Sequence, residues 1–245
     1  MSLVVLSIVS HNQMELVNKL LADVKKAYLT KYKIIVRSNI DENVMIDCHG
    51  LEVMHVKNES PKGFGCNHNM NFNLIMGDYF VILNPDIRFD DVDIFNKLIK
   101  YSSENDDRVI ISPTIQNSNG KLEDNGRYFP TPFKIIRKIL FRDKTVVPLR
   151  AGSASTKVDW VGGMFMFTHS RNYQILGGFD ERYFLYYEDV DLCYRAANSS
   201  INREIFHNAS VIHEARRSSH RDIRYLKWHI SSLIRFWIKY FGRKE

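Results

Sequence analysis

Leu3-Val4-Val5-Leu6-Ser7-Ile8-Val9 begins the chain as an apolar, largely β-branched run of strand length, and Ser10-His11-Asn12 follows it directly. Such a run reads as a strand buried on both faces, as in a sheet covered by helices. Helical spacing starts at once. Asn12 is the expected N-cap, Glu15 closes a capping box, and Leu16, Leu20, Val24 and Tyr28 recur on one side. The pattern then repeats along the chain. Residues 34–36 and 53–56 read as strands, and a glycine-containing loop over 61–65 leads into a helix carrying Met70 and Leu74. Residues 79–83 form another apolar run, ending at Asn84-Pro85-Asp86. Asp90 or Asp91 is the expected cap of a helix with Ile94, Phe95, Leu98 and Tyr101 inward, and 109–112 is the next strand. Strand alternating with helix predicts an α/β, doubly wound, mostly parallel sheet with its ligands at the carboxyl ends of the strands.

The rest of the chain changes character. Residues 114–157 are polar, with several Pro and Gly, and predict loops or a mobile flap. Residues 222–241 predict an amphipathic helix. Leu226, Ile230, Leu233, Ile234, Trp237 and Phe241 lie on one side, and Arg224, Lys227, Ser231, Arg235 and Lys239 on the other.

Composition bounds the class. With 245 residues, 44% hydrophobic and 25% charged, the chain suits one large globular domain with at most a short appendage. The net charge of +6 fits nucleotide phosphates, nucleic acid or an anionic membrane surface, although a charge this small fits a basic but inert exterior better. Cys48, Cys66 and Cys193 form no CxxC pair, so neither a zinc knuckle nor a disulfide framework is indicated, and reduced thiols in a cytoplasm are the simplest account. No signal-peptide pattern and no run of membrane-spanning length is visible, which predicts a soluble or peripheral protein.

Four segments carry chemistry. Asp86 follows an apolar strand and so emerges at the sheet edge, where a carboxylate can hold a hard cation against a diphosphate; Asn-Pro-Asp is also good turn chemistry. The run from Gly177 to Arg195 packs Asp180, Glu181, Glu188, Asp189 and Asp191 between aromatics. A carboxylate so surrounded is partly desolvated and suits general-base work; acids there also favour a helix N-terminus. His213 ends an apolar run and is either a metal ligand or structural. The basic, hydroxylic string after it, including Arg217 and Ser218, could neutralise a diphosphate leaving group, or be a solvated loop. Gly63-Phe64-Gly65 is a weaker signal, allowing close backbone approach or merely a turn.

Taken together, these residues resemble the family 2 glycosyltransferases of the GT-A fold, in particular their bacterial rhamnosyltransferase-like branch. Leu6 to Asn12 is similar to the family's opening strand and turn, and Lys62 to Asn69 to its Gly-Phe and Asn helix start. Asn84-Pro85-Asp86 occupies the place of the DxD motif, and Trp160-Val161-Gly162-Gly163 resembles the acceptor-side motif. Gly178 to Arg195 follows the branch's GFDExFFLYxEDxDLCxR run, and Val211-Ile212-His213 its final strand. The resemblance covers about residues 3–220.

The resemblance implies a mixed, mostly parallel GT-A sheet with flanking helices. It implies a catalytic domain over 1–220, divided into a nucleotide-binding half (1–113) and an acceptor-side half (114–220), followed by a basic amphipathic helix over 221–245. It implies an inverting transferase that moves a sugar, rhamnose among the candidates, from a dTDP- or UDP-linked donor to a saccharide or lipid-linked acceptor in cell-surface polysaccharide synthesis. Asp189 would be the base and Glu188 its orienting neighbour. Ser10, Asn12, Asn39, Asp41, Gly63, Asn69, Asn84 and Asp86 would line the donor, and Trp160, Gly162, Gly163 and Tyr187 the acceptor. Arg217 and Ser218 would meet the diphosphate, and Asp86 with His213 would hold Mg²⁺ or Mn²⁺. The setting implied is cytoplasmic, with the terminal helix on the inner membrane face, on the domain, or in a homodimer. Two departures stand out: Asn84 replaces the first DxD carboxylate, and Val36-Arg37-Ser38-Asn39-Ile40-Asp41 stands where the family has Val-Asp-Asn, which leaves the nucleobase open.

Other classes are a nucleotide-sugar hydrolase, a nucleotidyl transferase or an inactive sugar-nucleotide-binding homologue. Nucleotidyl transfer usually needs a Gly-rich phosphate loop after the first strand, where this chain has Ser10-His11-Asn12. No nucleic-acid motif appears.

Overall fold

The computed structural model describes residues 2–27, 31–89, 91–141, 145–150, 152–214 and 223–242. The first half forms as the alternation predicts. Strands β1 (Val4–Ser10), β2 (Tyr32–Ser38), β3 (Val53–Lys57) and β4 (Tyr79–Leu83) pair in parallel in the order β3-β2-β1-β4. Helices α1 (Met14–Lys26) and α2 (Phe64–Phe72) connect them. In β1, β2 and β4 alternate residues bury on opposite faces, which is why their central runs are apolar, while β3 at the sheet edge is only partly buried. On one face Leu6, Ile8, Val36 and Val81 meet Leu20, Leu21 and Val24; on the other Val5, Ile35, Phe80 and Ile82 meet Tyr173, Phe179 and Leu192.

Beyond β4 the chain makes a short β5 (Ile87–Arg88), helix α3 (Ile94–Ser103) and β6 (Val109–Asn117). Then come β7 (Gly126–Arg127), α4 (Pro132–Phe141), β8 (Ser155–Lys157), β9 (Trp160–Val161) and β10 (Phe165–His169). Helices α5 (Ser170–Ile175) and α6 (Glu188–Asn198), strand β11 (Asn202–His213) and helix α7 (Ile223–Phe241) complete the chain. The full sheet order is β3-β2-β1-β4-β10-β6-β11-β5, with β8 on β11, while β7 and β9 make a separate two-stranded pair. Strand β10 is antiparallel to both β4 and β6, so the sheet is mixed.

Three local expectations are corrected. Asn12 does not cap α1; it sits exposed in the left-handed region at φ 59°. The free N–H groups of Gln13 and Met14 are taken by Ser10 Oγ at 3.2 Å and by Glu42 Oε2 at 2.9 Å, a cap from a distant loop that local spacing does not reveal. Asp93, not Asp91, occupies the N-cap position of α3, while Asp91 accepts from the Asp93 N–H and pairs with Lys97. Tyr28 and Asp90 lie outside the described residues. Residues 114–157 are not simply loops: β6 runs on to Asn117, and α4 and β8 follow. Pro132 opens α4, where a missing N–H costs nothing, so a proline that reads as a breaker marks a helix start.

Helix α7 packs one side on the domain. Phe236 is fully buried against Tyr187 and Tyr194, a burial that contributes roughly 1.5–3 kcal/mol. Ser232 Oγ donates to Leu185 O and Trp237 Nε1 to Pro130 O. Lys239 Nζ bridges Asp180 and the wholly buried Asp191, which also accepts from Tyr240 and Arg195. The expected apolar side is therefore divided. Leu233 and Trp237 meet the domain, whereas Leu226, Ile230, Ile234 and Phe241 are exposed. Among the described residues no helix is long and apolar enough to cross a membrane.

Candidate active site

Near the carboxyl ends of the parallel strands lie several of the residues singled out in the sequence. Asp189 lies at the start of α6, which the chain enters through Tyr186 and Tyr187, both at φ 69°. Two consecutive non-glycine residues in the left-handed region cost on the order of 1–3 kcal/mol each, and strain of this kind tends to collect at functional sites. It aims the helix N-terminus so that Asp189 accepts from the Gly163 N–H at 3.0 Å and the Val190 N–H at 2.8 Å. A side chain at 163 would press on the Phe64 ring, 3.3 Å from the Cβ position. Trp160, three residues earlier, donates from Nε1 to Tyr128 O and lies beneath the Arg127 guanidinium. Gly162 donates to Asn125 O. The Trp160-to-Gly163 segment and the start of α6 are thus brought together, and Tyr187 is the residue in the N-cap position.

The two neighbouring carboxyls differ in kind. Glu188 is buried and its Oε2 has no partner; burial first, and the charge of Asp189 second, hold its pKa well above the usual carboxylate range. Burial raises Asp189 too, but the N–H groups of Gly163 and Val190 and the Arg127 charge oppose the rise. Of the pair, Glu188 is held the more strongly toward its neutral form, and Asp189 is the one whose anion is supported by N–H donors.

Across the strand ends lies the turn Asn84-Pro85-Asp86. Asn84 N–H donates to Met164 O at 2.9 Å, and Glu214 N–H to Asp86 O at 2.8 Å. Met164 follows Gly163, so one step of the β4–β10 ladder joins the Asp86 turn to the residue that holds Asp189. Asp86 is buried; its Oδ1 has no partner and its Oδ2 lies 3.3 Å from His213 Nε2. His213 Nδ1 meets Glu123 Oε2 at 2.7 Å. Burial disfavours the imidazolium, but the hydrogen bonds and charges of Asp86 and Glu123 outweigh it and raise His213 to about 9. His213 thus lies between two carboxylates, and one buried oxygen of Asp86 is left without a partner. Among the described residues no third His, Cys, Asp or Glu completes a cluster, so a divalent ion here would need ligand or water oxygens as well.

The donor-side residues divide. Ser10 is buried, its Oγ accepting from Gln13 N–H and its carbonyl from Asn39 N–H. The Asn39 side chain is occupied on every side: Oδ1 accepts from Lys62 N–H and Asn58, and Nδ2 meets Lys62 O and His11 Nδ1. It pins the loop before Gly63. Asn69 is similarly committed, accepting from Phe179 N–H and Tyr173 and donating to Phe179 O and Glu181. Gly178, at φ 68°, leaves room for this clamp; a Cβ would lie 2.4 Å from Asn69 Oδ1. Gly63 likewise lets the backbone approach Phe184 O, 2.7 Å from its Cβ position. Asp41 and Asn12 are exposed, Asp41 paired with Lys57. Arg217 and Ser218 lie outside the described residues.

No protein-family model matches the chain. It is 29% identical over 247 residues to the rhamnosyltransferase WbbL of Escherichia coli strain K12, covering 96% of this chain and 92% of that one. In the mannosyltransferase PcManGT from Pyrobaculum calidifontis, solved in complex with GDP-Man and Mn²⁺, the same fold recurs with a TM-score of 0.66, at 12% identity and over 99% of this chain and 65% of the other. The chain is a glycosyltransferase of the GT-A fold. This transferase is also 25% identical over 59% of its length to the N-acetylglucosaminyl-diphospho-decaprenol L-rhamnosyltransferase of Mycobacterium tuberculosis strain CDC 1551, half of whose length the match spans.

Sequence reasoning missed two parts of the transferase's site. Glu123 lies on a hairpin beyond β6 and carries no local signal. A buried polar lattice under α2 was also unread. Arg37 Nε donates to Asn71 Oδ1, Asn71 Nδ2 to Ser7 Oγ, and Ser7 Oγ meets His68 Nδ1 at 2.7 Å. Burial, with Arg37 nearby, keeps His68 neutral at a pKa of about 3. The Asn-rich run Asn67-His68-Asn69-Met70-Asn71 was its one visible sign.

Proposed function

We propose that this transferase moves rhamnose from a dTDP- or UDP-linked donor onto an N-acetylglucosaminyl-diphospho-lipid, inverting the anomeric carbon, during assembly of a cell-surface polysaccharide. The observation that carries the proposal is that the Asp189 carboxylate, held by the Gly163 N–H, and the Asp86–His213 pair lie at adjoining strand ends, where a base and a cation would serve. The nearly full-length similarity to one rhamnosyltransferase and the partial similarity to another support the sugar and acceptor class.

In this reading Asp189 takes the proton of the acceptor hydroxyl as that oxygen attacks the anomeric carbon from the face opposite the diphosphate. The Gly163 and Val190 N–H groups hold its carboxylate in place. Glu188, buried and held toward its neutral form, adds little second charge beside the incoming hydroxyl. Trp160 and Tyr187 flank the acceptor side. Asp86 and His213 would hold Mg²⁺ or Mn²⁺, whose chemistry is to stabilise the charge gathering on the leaving diphosphate. A seat on the cytoplasmic face of an anionic membrane suits a lipid-linked acceptor. What supports it is the exposed row Ile223, Leu226, Ile230, Ile234 and Ile238 on α7, with Lys227 and Arg235 exposed beside it.

A thermal-shift screen of nucleotide-sugars with Mn²⁺ checks the donor. dTDP-rhamnose or its UDP counterpart at a hundred times its Kd is expected to stabilise the fold by about 2.7 kcal/mol, raising Tm by several degrees. A shift with GDP-mannose alone would contradict the assignment.

A further inference from the structure

The polar partner on the far side of His213 belongs to neither the base nor the donor-side set. Glu123 sits on a built hairpin. Past β6 the chain turns at Gly120 (φ 75°), Asn117 Oδ1 accepts from the N–H groups of Asn119 and Lys121, and Gln116 pairs with Leu122. Glu123 N–H then donates to Ile115 O at 2.8 Å. Because β6 and β11 run in parallel with His213 opposite Asn117, the returning hairpin lays Glu123 beside the imidazole. Its Oε2 lies 2.7 Å from Nδ1, while Nε2 points to Asp86 Oδ2 at 3.3 Å.

We infer that Glu123 is a positioning residue for the divalent cation: by accepting the Nδ1–H of His213 it fixes the ring and the tautomer that presents Nε2 toward Asp86. An imidazole can ligate only through a nitrogen that carries no proton, so a carboxylate on the opposite nitrogen settles which one is free and raises its basicity. Glu123 meets the ring on the nitrogen away from Asp86, which separates this role from that of a third ligand. The inference rests on the reading of Asp86 and His213 as cation ligands.

The test measures Mn²⁺ binding by electron paramagnetic resonance, for Mn²⁺ alone and with dTDP or UDP, using the full chain. Loss of such an outer partner typically weakens a metal by about 10–100-fold, and Glu123→Ala is expected in that range. Glu123→Gln, whose amide oxygen still accepts the Nδ1–H, should recover most of the affinity. Nitrogen-15 NMR of the Mg²⁺-loaded protein should find the His213 proton on Nδ1 in the wild type and a mixture of tautomers in Glu123→Ala. Wild-type Mn²⁺ affinity in Glu123→Ala, with binding lost in Asp86→Asn and His213→Gln, would overturn the role of Glu123 and leave the cation site standing. Unchanged affinity in all three variants would overturn the cation site and the Glu123 inference with it.

Discussion

Asp189→Asn is expected to lower kcat for sugar transfer by about 10²–10⁴-fold while leaving the affinity for nucleoside diphosphate nearly unchanged. The amide is the same size as the carboxylate, and its oxygen can still accept from the Gly163 N–H, so the start of α6 and the glycine turn should keep their shape. What is lost is the proton acceptor. Glu188→Gln should cost much less, because burial holds Glu188 toward its neutral form and an amide preserves that neutrality. Burial raises the pKa of Asp189, so the base is lost as pH falls through that raised value. The acid limb of the kcat profile should therefore lie above the ordinary Asp pKa of about 3.9. Steady-state kinetics with calorimetric titration of dTDP separate the two effects. Near-wild-type turnover in Asp189→Asn would remove it from the mechanism.

The second large effect belongs to Asp86. Chelation with EDTA is expected to stop transfer, and Mn²⁺ or Mg²⁺ to restore it. Asp86→Asn should reduce kcat by at least about 10²-fold, since charge stabilisation by a bound cation is worth several kcal/mol and each 1.36 kcal/mol is a factor of ten. The structural reason is the lone buried Oδ1 and the neighbouring Oδ2 directed at His213 Nε2. A neutral amide there offers one weaker oxygen and an N–H facing a cation. Because the first DxD carboxylate is replaced by Asn84, no second acid in that motif can compensate. Full activity in EDTA, measured as transfer over a range of added Mn²⁺, would contradict the cation role.

The first half of the fold was legible because β1, β2 and β4 are buried on both faces, so their residues are apolar without alternation. Strand β10 was not, since Phe165 to His169 reads the same whether it runs parallel or antiparallel, and its insertion between β4 and β6 is a property of the whole sheet. Asp189 drew attention as one of several acids in its acidic-aromatic run, and only the family resemblance singled it out. Its partner Gly163 was found from a separate motif, and nothing local says that the two touch across 26 residues. Glu123 stayed hidden because a lone acid in a polar stretch has no pattern; it acquires a role only when the β6 hairpin folds back on β11. In α7 the apolar spacing was plain but the inward side was not. Ion pairs from Lys239 to Asp180 and Asp191, and the fit of Ser232 at Leu185, turn much of the apolar row outward.

The proposed reaction is a direct displacement by an acceptor hydroxyl that Asp189 deprotonates. The most direct measurement is the one-bond carbon–hydrogen coupling at the anomeric carbon of the transferred sugar, read by NMR on product made from dTDP-rhamnose and a synthetic N-acetylglucosaminyl-diphospho-lipid. The predicted result is a glycoside of configuration opposite to that of the donor. A product that retains the donor's configuration, or free rhamnose formed at the same rate with and without the acceptor, would contradict it.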